Sequence, residues 1–520
     1  MIKKVIIALS FVILAALLIF VGTIDSTRKI GVLGNKSTVQ SVENNIKDDG
    51  NEPPTNPYLA DSPWPMSHRN PYCQASTPYA GPSFKNNMAT LQYRWTLPGI
   101  ITISFGNKYK DGSRAVWTTT QRSVVKAIQK PGGEIIMVSS MVKKDFHYKD
   151  LGNPDTGKCG AYNLVDRDNI YFVPGFTSLN SFGDTNPDDP NSPIMVKGSY
   201  AIPVDVLSRG EKIVGITLTY DGYVAVVTDK GLLAIIDRKL VKGQFHRFTG
   251  EEVSNSIACD ENGGIYIVTS KYMHKIIWTG KNITTDERHG AWKASYETGG
   301  DVSGIRLGEG SGSTPTLMGT GNLDKFVVIT DGQKLMHLVL FWRDQIPADW
   351  KQIPGTRDRR IAVRMPVTFG DPKATRSLSE QSVCVRGCGI LVVNNLLTME
   401  GGGKIWSVMR SGNEKIAPYG IERFQWDPGK RRIKSVWANR EISFPNGIPS
   451  ISVATNAIYN VGQRKGTWTF EAVNWDTGES LFHVPLGASP LFNSIWAATV
   501  IGPQGILGSG ASLGFMVVGE

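Results

Sequence analysis

GITLTYDGYVAVVTDKGLLAIID, residues 215–237, decides the fold. Three apolar runs of strand length are separated by Asp221-Gly222 and Lys230-Gly231. A glycine in each break supplies the positive φ that a tight hairpin needs, so the stretch reads as three antiparallel strands in sequence. SIACDENGGIYIVTSKYMHKIIW (256–278) repeats the pattern, with Asn262-Gly263 at the first turn.

Weaker copies extend the pattern in both directions. They begin near residues 115, 161, 313, 382, 448 and 494, so that inner strands are expected at eight positions spaced 41 to 69 residues apart. Four-stranded units of about 40–50 residues, some enlarged by loops, are the signature of a β-propeller. No long amphipathic helix competes. The fold class is therefore all-β, a propeller of seven to eight four-stranded blades. The last unit runs out after its third strand at Glu520, and TLQYRWTLPG (90–99) precedes the first unit. Pairing these N- and C-terminal segments in one blade would close the ring and leave no open edge.

Before the repeats the chain changes character. Met1-Ile2-Lys3-Lys4 is followed by Val5–Ile24, twenty residues without a charge. A helix of that length rises about 30 Å, enough to cross a bilayer core. Residues 1–24 are read as a signal anchor or signal peptide, with an uncleaved anchor favoured because no small-x-small cleavage site precedes Asp25. Residues 25–60, with NIKDDGNEPPTNP (45–57), are expected to be a flexible linker, and residues 61–520 the propeller. The body would then sit in the cell envelope outside the cytoplasm, or be secreted if the signal is cleaved.

Composition narrows the function. The net charge of +10 comes from 56 basic and 46 acidic residues, and the bases are scattered apart from Arg357, Arg359 and Arg360 and the run Lys430–Arg432. Such short runs are ordinary solvated loops, and without a zinc-finger pattern or basic helix no nucleic-acid partner is expected. Five cysteines (73, 159, 259, 384 and 388) form no zinc pattern; Cys384 and Cys388 flank a turn and are candidates for a disulfide. No Gly-x-Ser-x-Gly elbow or Cys–His arrangement supports a serine or cysteine hydrolase.

Two segments carry resemblances. SPWPMSHRNPYCQAS (62–76), followed by such repeats, resembles the opening of the quinoprotein-dehydrogenase-like (PQQ-like) eight-bladed propellers. That family includes calcium- and PQQ-dependent alcohol dehydrogenases as well as non-catalytic envelope scaffolds. The dehydrogenases carry an adjacent cysteine pair and repeated Asp-x-x-Thr-Gly docking motifs. This sequence has no Cys-Cys, and NWDTGES (474–480) approximates only one such repeat, so PQQ is not expected. PNGIPSISVATNAIYNV (445–461) resembles the gluconolactonase and strictosidine-synthase-like propellers. In many of those hydrolases the matching asparagine binds a calcium-type ion at the mouth of an inner strand. The resemblance makes Asn446 a candidate ligand, joined by Asn255, Glu380 and Asn493 at the corresponding places before other inner strands. Hard cations take such carboxylate and amide oxygens. The competing reading is local turn chemistry, since Asn-Gly is a common hairpin turn. Asp331, Asp344, Asn394 and Asn395 are read as turn or strand-end residues.

The leading expectation is an envelope-anchored propeller that binds a small molecule or envelope protein partner through one end of its channel. The alternatives are a calcium-type metal-dependent hydrolase of lactones or esters and, third, a PQQ-type oxidoreductase.

Overall fold

The computed structural model of the chain describes residues 25–34, 52–84, 86–144, 160–299, 306, 308–399 and 404–520. The expected anchor, residues 1–24, and Cys159 lie outside the described residues.

Eight antiparallel sheets form the blades of a propeller. Their inner strands are Ser104–Lys108, Leu164–Val165, Ile213–Leu218, Ala258–Cys259, Thr316–Met318, Cys384–Arg386, Ser450–Ser452 and Thr499–Ile501, numbered blades 1 to 8 in that order. The 215–237 stretch is the inner part of blade 3, and its turn glycines have φ of 89° at Gly222 and 76° at Gly231. One expected strand moves. The run at Ala115 belongs to the second strand of blade 1, Arg114–Thr119, whereas the inner strand is Ser104–Lys108. Its register breaks between Phe105 and Lys108, which erases the alternation that reveals a strand.

Closure follows the expected route. Met88–Trp95 pairs antiparallel with the last strand, Gly514–Gly519, from Thr90 opposite Gly519 to Trp95 opposite Gly514. Ser26–Gly31 then pairs outside Met88–Trp95 as a fifth strand. This part of the expected linker is joined to the body, as are Asn56 and Ala60, both buried. That short strand has no apolar face to announce it: Ser26–Lys29 are all exposed.

The blades pack through apolar faces. Trp117 of blade 1 stacks on Tyr171 of blade 2 with centroids 5.1 Å apart, and Trp342 of blade 5 meets Trp426 of blade 6 edge-on at 6.0 Å. Each such pair contributes about 0.5–1.5 kcal/mol beyond its buried area. One charge pair is buried among them. Lys126 of blade 1 donates to Asp184 of blade 2, which also accepts from Tyr109 Oη at 2.6 Å. Burial pulls the Lys126 ammonium below its ordinary pKa, and the Asp184 contact opposes that pull.

Cys384 and Cys388 are both free thiols, so the expected bridge is not formed. Cys384 is held in the inner strand, where its Sγ donates to Pro449 O, while Cys388 lies in the turn beyond it. Among the described residues no helix is long and apolar enough to cross a membrane.

Candidate functional site

Each inner strand turns one edge toward the propeller axis, and buried N–H groups left unpaired there would each cost about 1–3 kcal/mol. Residues 56–77 supply the partners. Trp64 O accepts from Phe105 N (2.9 Å, blade 1), Pro65 O from Val165 N (2.8 Å, blade 2) and Pro71 O from Cys259 N (2.9 Å, blade 4). Tyr72 O then serves Leu317 of blade 5, Gln74 O Val385 of blade 6, and Ala75 O Ile451 of blade 7. Blade 3 is reached by Asn56, whose Nδ2 donates to Leu218 O at 2.9 Å. The segment is thus a belt that runs round the axis inside the ring.

The sequence of the belt suits this path. Pro65 and Pro71 have a carbonyl to offer and no N–H to satisfy. His68, Arg69, Cys73 and Ala75 have φ between 51° and 74°, a left-handed conformation that bends the chain into a circle. SPWPMSHRNPYCQAS was legible as an opening motif, but nothing in it states that it encircles the axis.

The belt lines the channel. Above it, on the face where the inner strands begin (the upper face), remains a cavity of about 50 Å³ lined by His68, Tyr162, Asn255, Glu380, Gln381 and Trp496 among others. The His68 ring is buried, with Nε2 3.3 Å from Thr314 Oγ1 and no partner for Nδ1. Burial lowers its imidazole pKa to about 4, so the ring is neutral at neutral pH. Tyr162 lies beside it, ring centroids 5.5 Å apart, and its hydroxyl donates to Asn255 Oδ1 at 3.3 Å. Burial pushes the Tyr162 phenol up to about 12. The Glu380 carboxylate lies against Gly312, where a Cβ would come within 2.6 Å of it. The missing side chain leaves room for the carboxylate at that close approach.

The four expected ligands reach the upper face in two groups. Glu380 and Asn255 line the cavity. Asn446 and Asn493 are clamped to the last turn of the helix Lys404–Arg410 and the residue that follows it. Asn446 Nδ2 donates to Ser411 Oγ (2.6 Å) and Asn493 Oδ1 (2.8 Å), and Asn493 Nδ2 donates to Val408 O (2.8 Å). The Asn-Gly pair is not a hairpin turn, since neither residue has a positive φ and Asn446 is 1 % exposed. Gly447 is needed because a Cβ there would meet Asn460 Oδ1 at 2.5 Å.

Sequence reasoning missed the residues between the two groups. Asn395 Oδ1 accepts from Glu380 N at 2.9 Å while its Nδ2 donates to Pro445 O at 3.1 Å, and Gln381 Nε2 donates to Asn446 O at 2.6 Å. Asn395, read as a strand end, ties blade 6 to blade 7. Asp331 is a turn former as expected, accepting from His337 N at 2.8 Å and lying 2.9 Å from His337 Nδ1. Among the described residues no three His, Cys, Asp or Glu side chains converge as metal ligands.

No family model matches the chain. It is 43% identical over 473 residues to an uncharacterized protein of Archaeoglobus fulgidus, covering 88% of this chain and 87% of that protein. Among solved structures, the quinohemoprotein alcohol dehydrogenase of Comamonas testosteroni shares the fold, with a TM-score of 0.53 at 12% identity over 93% of this chain and 84% of that one. BamB of Moraxella catarrhalis is a looser likeness, with a TM-score of 0.46 at 8% identity over 82% of this chain and 97% of that one.

Proposed function

The chain belongs to the same family as the Archaeoglobus fulgidus protein, and we propose that it is a binding propeller, held in the cell envelope by residues 1–24, that receives a ligand or envelope protein at its upper face. One observation carries this reading. Beside the belt the axis holds a recess on which polar groups converge (His68, Tyr162, Asn255 and Glu380). A concave site with a small number of placed polar groups is the usual arrangement by which a protein orients a ligand.

The recess is small. At about 50 Å³ it accepts a side chain, a hydrated ion or the tip of a larger ligand. A tricyclic quinone does not fit it, since ligand-sized pockets start at about 300 Å³. No step is assigned to PQQ.

The second reading, a calcium-type hydrolase of lactones or esters, is favoured by one feature: the Glu380 carboxylate and the Asn255 amide share the cavity. These two residues would hold the ion, which would polarise a substrate carbonyl. Asn446 and Asn493 have their amides committed to each other and to the helix end.

The test is a thermal-shift screen of small hydrogen-bonding ligands against the full chain, with calcium and a lactone assay in parallel. The binding reading expects a compound that raises the melting temperature of the native protein and not that of Glu380→Gln or Asn255→Ala. Calcium-dependent lactone turnover abolished by Glu380→Gln would replace it with the hydrolase. Stabilisation equal in all three proteins would remove the recess from the function.

A further inference from the structure

The direction of the strands in blade 8 fixes the face on which Asp25 and Ser26 lie. Thr499–Ile501 starts at the upper face, and the strands after it alternate, so Gly514–Gly519 also starts there. Trp95, opposite Gly514, therefore ends at the upper face, and Ser26, opposite Tyr93, begins there. Asp25 is tied to this end, its Oδ1 accepting from Trp95 N at 3.0 Å. Asp25 thus lies at the same face that carries the axial recess.

That face also presents large apolar side chains to solvent. Leu97 is two residues beyond Trp95, and Met399 and Trp406, on either side of the start of the helix over blades 7 and 8, are 55% and 56% exposed. The edge strand of blade 8 descends from this face, so its basic residues Arg28 and Lys29, opposite Leu91 and Thr90, lie toward the lower end. The lower face has exposed apolar residues of its own, Val241 among them, but no uncharged segment joins it.

We propose that the upper face lies against a lipid bilayer, with Trp406, Met399 and Leu97 at the water–lipid boundary. The proposal rests on the reading of residues 1–24 as an uncleaved anchor. Val5–Ile24 is long enough to span the hydrocarbon core, and two residues of extended chain, about 7 Å, separate its end from Ser26. A tether that short holds this edge of the body at the headgroups. Tryptophan is the side chain most favoured at that depth, and exposed apolar groups on a tethered face are sheltered there from water. A ligand would then reach the axial recess from the bilayer side, which distinguishes this protein from a propeller that hangs free on a linker.

The experiment uses the full chain in vesicles of phosphatidylcholine and phosphatidylglycerol. Trp406, Met399 or Val241 is replaced, one at a time, by photoreactive benzoylphenylalanine, and lipid adducts are read by mass spectrometry after irradiation. The expected result is flotation with the vesicles and lipid adducts at 406 and 399, lost at 241. A chain that floats but forms adducts at 241 and none at 406, or equally at all three, overturns the orientation and leaves the anchor standing. A chain that does not float, or that lacks residues 1–24 when isolated from membranes, overturns the anchor reading and the proposal with it.

Discussion

The side-chain amide of Asn446 donates to Oδ1 of Asn493 at 2.8 Å, joining the approaches to the inner strands of blades 7 and 8. Both amides then turn to the C-terminal end of the helix Lys404–Arg410, so one buried cluster fixes two blades and the cap above them. Asn446→Ala removes donations to Ser411, Asn493 and Val408 and is expected to cost about 1–3 kcal/mol. Asn446→Asp is expected to cost more, because its carboxylate would face Val408 O and Asn493 Oδ1 with no proton to give. Urea unfolding of both variants measures this; an Asp variant as stable as the native protein would show that the amide donations of Asn446 do not hold the cluster together.

His68 sets an acid limit on stability. Its folded pKa of about 4 lies below the ordinary 6.5, so between these values the unfolded chain binds the proton that the folded one refuses. The stability it leaves intact above pH 6.5 is lost as the pH falls toward 4. The shift corresponds to about 3 kcal/mol. His68→Asn, which tolerates the φ of 60°, is expected to flatten the pH dependence across that window. Unfolding free energies at pH 4.5 and 7 for the two proteins provide the comparison, and equal slopes would exclude His68 as the source.

Gly312 and Glu380 are coupled by space. Gly312→Ala places a methyl group 2.6 Å from the Glu380 carboxyl and is expected to destabilise the native protein. In a Glu380→Ala background the obstacle is gone, so the same change is expected to cost less, with a coupling of about 0.5–3 kcal/mol. A double-mutant cycle by thermal or urea melting reads this value; strictly additive losses would show that the close contact relaxes elsewhere.

Two truncations separate the edge from the belt. Removing residues 1–34 deletes one exposed edge strand, and the remaining chain is expected to keep its β circular dichroism and a cooperative melt. Removing residues 1–79 also strips the acceptors from Phe105, Val165, Cys259, Leu317, Val385 and Ile451, and is expected to leave a chain that does not fold. A cooperative melt in the shorter chain would mean that the inner edges find other partners.

The blade repeat was legible because hairpin chemistry is local. An Asp-Gly or Asn-Gly between two apolar runs states its turn within four residues, and Gly222, Gly231 and Gly263 all adopt the positive φ it demands. Closure by residues 90–99 was legible too, since a final unit one strand short must find that strand elsewhere. The inner strand of blade 1 was not, because a bulge at Phe105–Lys108 breaks the period that reveals strands. Arg360, read as a solvated base, instead lies over the Trp292 ring at 4.6 Å, a contact made between chain positions 68 residues apart.

The sequence by itself determined the class of fold, the number of repeats to within one and the segment that closes the ring. All three depend on residues near one another in the chain or on a count of strands. Only the tertiary structure decided what the polar residues at the strand mouths do. Glu380 and Asn255 enter the recess while Asn446 and Asn493 brace a helix, although all four occupy the same place before an inner strand. The difference lies in what each meets across the axis: the belt, Gly312 and the helix end at Val408–Ser411 are far away in sequence and become neighbours only when the eight blades close.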